Sequence, residues 1–528
     1  MRGIETTAAE ALVDAIRGGG ADTVFGVPGG GPNLALIGAA EAAGMRFVLS
    51  HGETAGAITA ATYGLLTGAP AMAIATRGPG LASGVNGAAQ ATLDRFPLLF
   101  VSDCVPASDM DRVAHQRIDQ TALMAPVTKW SGRLGGDAAA ADVARAAAAL
   151  AGAAPRGAVH LDFDPGAVSS HPGDPAAPPA ADPVGMDHAR SLLAHSDRPV
   201  VIVGIGAVEE AARVRDLVER MGCPVLTTYQ SAGMLPEGHP QLAGLYTGGV
   251  IERPILAAAD LVIAVGLDMV EPIPSPWRLD VSVVSIDVSA PASTFLPTDV
   301  ALVGPSTADL LERLAEGAVH GWPIGAGAAA LAGAREALLA TSVGTFGPVE
   351  LATAVACRTP SAATATVDAG AHFLAIMPFW PVASPLSLLI SNGLATMGFA
   401  LPAAIGAALA RPGAPVVCMV GDGGLGMALA ELETVARLRL PITVVVFDDA
   451  ALSLIEIKQQ QGQGGTRAVH YSSIDFSSVA RGMGLDAMTV ETVRDLERAL
   501  DGGWETPRLI DARIDPTPYA ALLRATRG

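Results

Sequence analysis

The chain has 528 residues, half of them hydrophobic but only 4% aromatic, and its 52 acidic against 33 basic side chains give a net charge of −19. With no basic cluster, that balance argues against nucleic acid or an anionic membrane surface as a partner. No uninterrupted apolar run is long enough to span a bilayer, and an N-terminal stretch carrying Glu5, Glu10 and Asp14 is no signal peptide.

The length sets an expectation of about three domains. Cys104, Cys223, Cys357 and Cys418 are scattered without metal-ligand spacing, which points to core packing in a reducing, cytoplasmic compartment. Thr7-x-x-Glu10 reads as a capping box opening the first helix. Strand Thr23 to Gly26 leads into the turn Pro28-Gly29-Gly30-Gly31. After strand Phe47 to Leu49, Glu53 opens an alanine-rich helix that ends near Thr67-Gly68. Strand Ala71 to Ala75 runs into Thr76-Arg77-Gly78-Pro79-Gly80, and strand Leu98 to Val101 follows. This repeated βα rhythm predicts a parallel sheet with helices on both faces.

Residues 166–185, rich in Pro, Ala and Asp, read as an extended linker. A second α/β block, Pro199 to about Val303, opens with strand Val200 to Val203 and Gly204-x-Gly206. The loop Glu271 to Trp277 holds too many prolines for a helix or central strand. An alanine- and glycine-rich stretch, about 316–345, reads as the link to the third block. The expected architecture is three Rossmann-like, doubly wound parallel-sheet α/β domains, over 1–168, 186–318 and 345–528.

The third block holds the stretch around which the chain is organised, Val416 to Gln461. A buried apolar strand, Val416 to Val420, breaks into Gly421-Asp422-Gly423-Gly424, a turn that glycines make easily. A helical pattern follows, with Leu429, Leu432, Val435 and Ala436 on one stripe and Glu431, Glu433 and Arg437 off it. Strand Ile442 to Phe447 then delivers Asp448-Asp449 at its carboxyl end, where such sheets place ligands. Two carboxylates on adjacent strand tips suit one Mg²⁺ shared with a diphosphate. The same residues equally suit a Rossmann-like turn whose aspartates cap helices.

The Gly-Asp-Gly turn, 24 residues and then a pair, here Asp448-Asp449, resembles the signature of thiamine diphosphate enzymes, whose pair is mostly Asn-Asn. Further matches in order are Phe25 to Gly30, Thr76-x-Gly78-Pro79-Gly80, His115-Gln116-x-Ile118-Asp119-Gln120, Val159 to Asp162 and Gly393 to Pro402. The chain is similar along nearly its whole length to the acetolactate synthase, pyruvate oxidase and benzoylformate decarboxylase branch.

The resemblance implies thiamine diphosphate and Mg²⁺ as cofactors, with the metal on Asp422, Asp449 and the Ala451 carbonyl. It assigns Pro28, Gly29, Glu53, Gly370, His372, Met397, Gly421, Asp422, Gly423, Gly424, Asp449, Leu452, Ser453 and Leu454 to cofactor binding. Glu53 and Gln116 take catalytic places. Glu53 would hydrogen-bond the aminopyrimidine ring and so promote removal of the thiazolium proton. Met397 would wedge between the two cofactor rings.

On bare pattern, Glu53 is a first-turn residue favoured by the helix dipole, Met397 a core methionine, Gln116 a polar loop residue, Arg77 a solvent-facing cation and His372 a surface histidine. Ala371 replaces the glutamine common in the matching Gly-Gln-His segment. Ile455 stands where protonating decarboxylases of the family carry a Glu, and no His-His pair is present. That implies a 2-oxo acid decarboxylated and then joined to an acceptor carbonyl, with plain release of an aldehyde as the alternative. A non-enzymatic relative that keeps the fold is the reading of another class. Gly204-x-Gly206 alone is a thin dinucleotide signal, and FAD is not expected. The resemblance also implies a homodimer or homotetramer with active sites at the subunit interface.

Overall fold

The computed structural model describes residues 2–175, 182–273, 275–289, 296–316, 321–342, 344–463 and 465–528, and side chains from residue 8 onward apart from residue 463. Among these residues the N-terminal strands are β1 (Thr23–Gly26), β2 (Arg46–Leu49), β3 (Ala71–Ala75), β4 (Leu98–Asp103), β5 (Trp130–Leu134) and β6 (Ala158–Phe163). The central strands are β7 (Pro199–Val203), β8 (Val225–Thr227), β9 (Leu242–Leu245), β10 (Leu261–Val265), β11 (Ser282–Asp287) and β12 (Val300–Val303). The C-terminal strands are β13 (Thr364–Val367), β14 (Leu388–Ile390), β15 (Val416–Gly421), β16 (Ile442–Asp448), β17 (Asp486–Val490) and β18 (Arg508–Arg513).

They form three six-stranded sheets, ordered β2-β1-β3-β4-β6-β5, β12-β11-β10-β7-β8-β9 and β14-β13-β15-β16-β18-β17. Every pairing between these strands is parallel. The first and third sheets thus share one topology. The central sheet has the strand order of a dinucleotide-binding fold. Strands buried on both faces are near-continuous apolar runs, and β3, β7 and β10 are apolar throughout.

The abundance of Ala and Gly has a packing reason. Helix Glu53–Thr67 of the first domain lies against helix Ala400–Ala410 of the third. A Cβ on Gly406 would stand 2.5 Å from the Thr59 carbonyl oxygen, and Thr59 Oγ1 donates to the Pro402 carbonyl at 3.0 Å. One hydrophobic core therefore runs through both domains.

Three expectations are corrected. The first helix spans Arg2–Gly18, so Thr7 lies inside it rather than at its start. The stretch 316–345 contains a 14-residue helix, Ala326–Leu339, because alanine's helix propensity outweighs the interspersed glycines; residues 317–320 and 343 lie outside the described residues. Glu431, off the apolar stripe, is nevertheless buried: it accepts from the His51 N–H at 2.8 Å and from Thr434 Oγ1 at 2.8 Å. Of the linker expected over 166–185, residues 176–181 fall outside the described residues, as does Pro274 of the 271–277 loop; helix Pro183–His195 begins within the linker's expected end.

Candidate active site

Doubly wound sheets bind ligands beyond the strand carboxyl ends, where the strand order reverses. In the third sheet that point lies between β13 and β15, and Asp368 and Gly421-Asp422 stand at the two strand tips. Asp368 is buried and accepts from the N–H groups of Ala369 at 2.9 Å, Gly398 at 2.9 Å and Phe399 at 3.1 Å. Burial nevertheless pushes its carboxyl up to about 7. Those bonds fix the Gly398 turn, where φ is +77°, and so position Met397 beside it.

The Gly421 to Gly424 turn has no room for side chains. A Cβ on Gly424 would lie 2.1 Å from Asp368 Oδ2, and one on Gly423 would lie 2.9 Å from Leu452 Cδ2, 3.0 Å from Tyr471 Oη and 3.4 Å from Met397 Cε. Met397, Leu452, Gly423 and Tyr471 thus converge on one cleft.

Asp422 opens a short helix, Asp422–Ala428, and is buried. Its Oδ1 accepts from the Gly423 N–H at 2.7 Å and from Tyr471 Oη at 2.7 Å. Its Oδ2 is buried with no hydrogen-bond partner, as are Asp448 Oδ2 and His372 Nε2. Asp449 accepts from Ser453 Oγ at 2.6 Å and from the Ala451 N–H at 3.2 Å. Burial is the largest cause holding Asp449 up at about 6, despite the Ser453 hydrogen bond, with the Asp422 charge adding to it. Burial, Asp511 and Asp422 likewise raise Asp448. The Asp422 charge thus raises the proton affinity of both Asp448 and Asp449, and such crowding of carboxyl groups favours a cation.

His372 is buried, not a surface residue. Its ring lies 5.4 Å from that of Phe447, and its Cε1 and Nδ1 would each stand 3.2 Å from a Cβ on Gly421. Burial lowers it to about 4, so it is neutral at pH 7. Gly370 lies beside the same ring. Ala451, Leu452, Ser453 and Leu454 form the entry to helix Ser453–Gln463.

The second half of the site is in the first domain, at the reversal between β1 and β3. Glu53, half-buried, heads helix Glu53–Thr67, and its Oε1 would be 3.0 Å from a Cβ on Gly80. Gly29 leaves space for Asp103: a Cβ there would meet Asp103 Oδ2 at 2.6 Å. Pro28 beside it is exposed. Gly78 has φ +67°, and a Cβ there would sit 2.5 Å from the Gln116 carbonyl oxygen. Gln120 ties the Gln116 loop down, accepting from the Gly78 N–H at 2.7 Å and donating to the Asp103 carbonyl at 2.9 Å. Gln116 and Gln120 border a cavity of about 340 Å³. Arg77 is half-buried near Asp103. Among the described residues no hydrogen bond or ion pair joins Glu53 to the aspartate group around Asp422.

The structure therefore gathers Gly370, His372, Met397, Gly421 to Gly424, Asp449 and Leu452 to Leu454 in one cluster, and Pro28, Gly29, Glu53 and Gln116 in another. Sequence reading gave no role to Asp368, Asp448 or Tyr471. Asp368 and Asp448 carry a usable signal, a carboxylate at the tip of a buried strand. Tyr471 carries none.

Comparison with known proteins bears on this site directly. Three family models match in order: the thiamine pyrophosphate enzyme N-terminal TPP binding domain at residues 6–123, the central domain at 186–314 and the C-terminal TPP binding domain at 368–512. An acetolactate synthase of Bacillus subtilis is 30% identical, the alignment covering 97% of this chain and 94% of that one. The chain belongs to the thiamine pyrophosphate enzyme family. Within it, this is a thiamine diphosphate-dependent enzyme of the acetolactate synthase-like branch.

The acetolactate synthase isozyme 1 large subunit of Escherichia coli is 28% identical over 96% of this chain and 94% of its own. A probable 2-ketoarginine decarboxylase of Pseudomonas aeruginosa is 30% identical over 94% and 92%. A solved thiamine diphosphate-dependent 4-hydroxybenzoylformate decarboxylase from Rhodococcus jostii has the same fold, with a TM-score of 0.81, 21% identity and coverage of 97% and 99%. These enzyme relatives displace the reading of a non-catalytic fold.

The residues present fit the cofactor of the family. The unpartnered Oδ2 of Asp422 suits a cation, neutral His372 presents an unpartnered ring nitrogen, and the glycine turn leaves open backbone. Among the described residues no group of three or more His, Cys, Asp or Glu side chains is arranged to hold a metal by itself. The expected set has two carboxylates and one backbone carbonyl, which suits Mg²⁺ completed by diphosphate oxygens and water.

Proposed function

We propose that this enzyme, with Mg²⁺, decarboxylates a 2-oxo acid of pyruvate type and joins the remaining carbon unit to an acceptor carbonyl. Thiamine diphosphate, when bound, supplies the acidic carbon that adds to the keto group and the electron sink that lets CO₂ leave. Asp422, Asp449 and the Ala451 carbonyl hold the cation. Gly370, His372 and the Gly421 to Gly424 backbone receive the diphosphate. Met397 props the rings, Glu53 holds and moves the proton at the pyrimidine, and Gln116 reaches in from the first domain.

The observation that carries ligation over aldehyde release is the helix after the metal pair. Ile455 faces out of its first turn, 44% exposed. The neighbouring acid, Glu456, is engaged by His470 at 3.1 Å. Position 455 thus brings no acid, and the acid beside it is already paired, which supports ligation over aldehyde release. Aldehyde release is the second reading, favoured by the 30% identity to a probable decarboxylase.

The central domain is read as flavin-free. Its reversal point, between β7 and β10, is filled by the buried Glu271 carboxyl, which accepts from the Ile205 N–H at 3.0 Å and the Asp268 N–H at 3.0 Å. A Cβ on Gly204 would strike its Oε2 at 2.5 Å. The two separate residue clusters support active sites completed between two copies, in a dimer or tetramer. The four unpaired thiols fit a cytoplasmic setting.

Product analysis tests the reaction. Purified protein is incubated with thiamine diphosphate, Mg²⁺ and a panel of 2-oxo acids, pyruvate first, and products are followed by NMR. A ligated hydroxy-ketone such as acetolactate is expected. Free aldehyde with CO₂ in its place would sink the ligation reading.

A further inference from the structure

Helix Ser453–Gln463 is followed by a strap that returns over the metal loop. The Leu452 N–H donates to the Val469 carbonyl at 2.8 Å, and the Tyr471 N–H donates to the Ala450 carbonyl at 3.2 Å. Ala451 and His470 form an isolated antiparallel bridge, and His470 pairs with Glu456 at 3.1 Å. The strap is thus pinned to Ala450, Ala451 and Leu452, the backbone that leads out of the Asp448-Asp449 pair. Its end carries Tyr471, whose hydroxyl crosses to the other strand tip and donates to Asp422 Oδ1 at 2.7 Å. With the Gly423 N–H also on that oxygen at 2.7 Å, Oδ1 has two donors and the carboxylate plane is fixed. Oδ2 is left buried and without a hydrogen-bond partner, available to a cation.

We infer that Tyr471 is a positioning residue for the Mg²⁺–diphosphate clamp: it sets the orientation of the Asp422 carboxylate and couples the strap to cation binding. The inference rests on the Mg²⁺–thiamine diphosphate reading above. Geometry gives the coupling its direction. A carboxylate free to rotate presents Oδ2 only part of the time, and ordering it falls to the incoming cation. The hydroxyl also borders Gly423 beside Leu452 and Met397; a phenylalanine keeps the ring and removes only that hydroxyl.

The test titrates Mg²⁺ by calorimetry into wild type, Tyr471→Phe and His470→Ala, each at saturating thiamine diphosphate. Unfolding midpoints are measured in EDTA without cofactor. Tyr471→Phe is expected to need about tenfold more Mg²⁺ for half-saturation, the scale of one hydrogen bond to a charged group. Its cofactor-free midpoint should stay unchanged, and excess Mg²⁺ should restore full cofactor binding. His470→Ala, which loosens the strap and keeps the phenol, should shift the Mg²⁺ requirement the same way by a smaller factor. Wild-type Mg²⁺ affinity in Tyr471→Phe, while wild type binds normally, overturns this inference alone. A lowered cofactor-free midpoint with unchanged affinity also overturns it, by making the residue purely structural. Failure of wild type itself to take up Mg²⁺ and thiamine diphosphate removes the functional reading, and this inference with it.

Discussion

Glu53 and Asp422 each head a helix at a sheet's reversal point, and their surroundings set different tasks. Asp422 is buried with one oxygen unpartnered, which suits the cation-holding role proposed for it. Glu53 is half-buried against Thr76 and Gly80, a setting compatible with the proton-exchange role proposed for it. Glu53→Gln keeps the size and the packing and removes the acid. Turnover should fall by about 10²- to 10⁴-fold, the usual worth of a general acid–base group, while calorimetry shows thiamine diphosphate and Mg²⁺ still binding. Turnover near the wild-type rate would strip Glu53 of its role. The position of each, after a strand and at the start of a helix, was legible in the sequence, while the roles proposed for them came from the family resemblance. Tyr471 was not legible, since its partner Asp422 lies 49 residues away and nothing in the strap's polar sequence signals the contact. Asp448 was half-legible: the pair was read, and only its second member was given work. His372 looked like a surface residue because one histidine in a Gly-Ala-His run has no periodicity to reveal its burial.

Elements explain what single residues do not. The Gly421 to Gly424 turn is glycine-rich because Asp368 and the cleft side chains already occupy the space where Cβ atoms would lie. Gly424→Ala, with its Cβ 2.1 Å from Asp368 Oδ2, should destabilise the fold by about 1–3 kcal/mol, as overpacking does, and denaturant unfolding measures it. The central crevice makes a second prediction. Burial outweighs the donors around Glu271 and raises its carboxyl from 4.5 to about 8. A raised acid binds its proton more tightly folded than unfolded. Its contribution to stability is therefore complete below pH 4.5 and is lost as pH climbs to about 8. Glu271→Gln should remove that loss, flattening the decline in unfolding free energy by up to about 1.4 kcal/mol per pH unit across the window. An unchanged slope in chemical denaturation from acid to mildly alkaline pH would show that Glu271 titrates alike in both states. The strand elements were readable, since strands buried on both faces are continuous apolar runs. The helix Ala326–Leu339 was not, because Ala-Gly composition serves a linker and a closely packed helix equally well.

At the scale of the whole molecule, the three domains are fastened together within one chain. Arg95 pairs with Asp268 through two hydrogen bonds of 2.6 and 3.0 Å, joining the first domain to the second. Asn392 Nδ2 donates to the Glu271 carbonyl at 2.5 Å, joining the third to the second. The Gly393 N–H donates to buried Asp94 at 2.5 Å, joining the third to the first. His51 and the Leu49 carbonyl, just ahead of Glu53, are held by Glu431, Glu433 and Arg437 of the third domain. These ties hold the Glu53 cluster and the Asp422 cluster as separate networks, which supports the proposal that a site using both is completed by a second copy rather than by hinge closure. That arrangement makes a prediction that a single-chain site does not. Glu53→Gln and Asp422→Ala proteins, each close to inactive, are mixed in equal amounts under conditions that exchange subunits. Half of the resulting dimers carry one of each chain, and each such dimer has one site with both lesions and one with neither. Activity should recover to about one quarter of wild type, given a twofold dimer and free exchange. Recovery is followed by product formation over time, with sedimentation confirming that subunits have exchanged. If exchange is complete and activity stays at the level of the separate variants, Glu53 and Asp422 serve the same chain, and the shared-site reading fails.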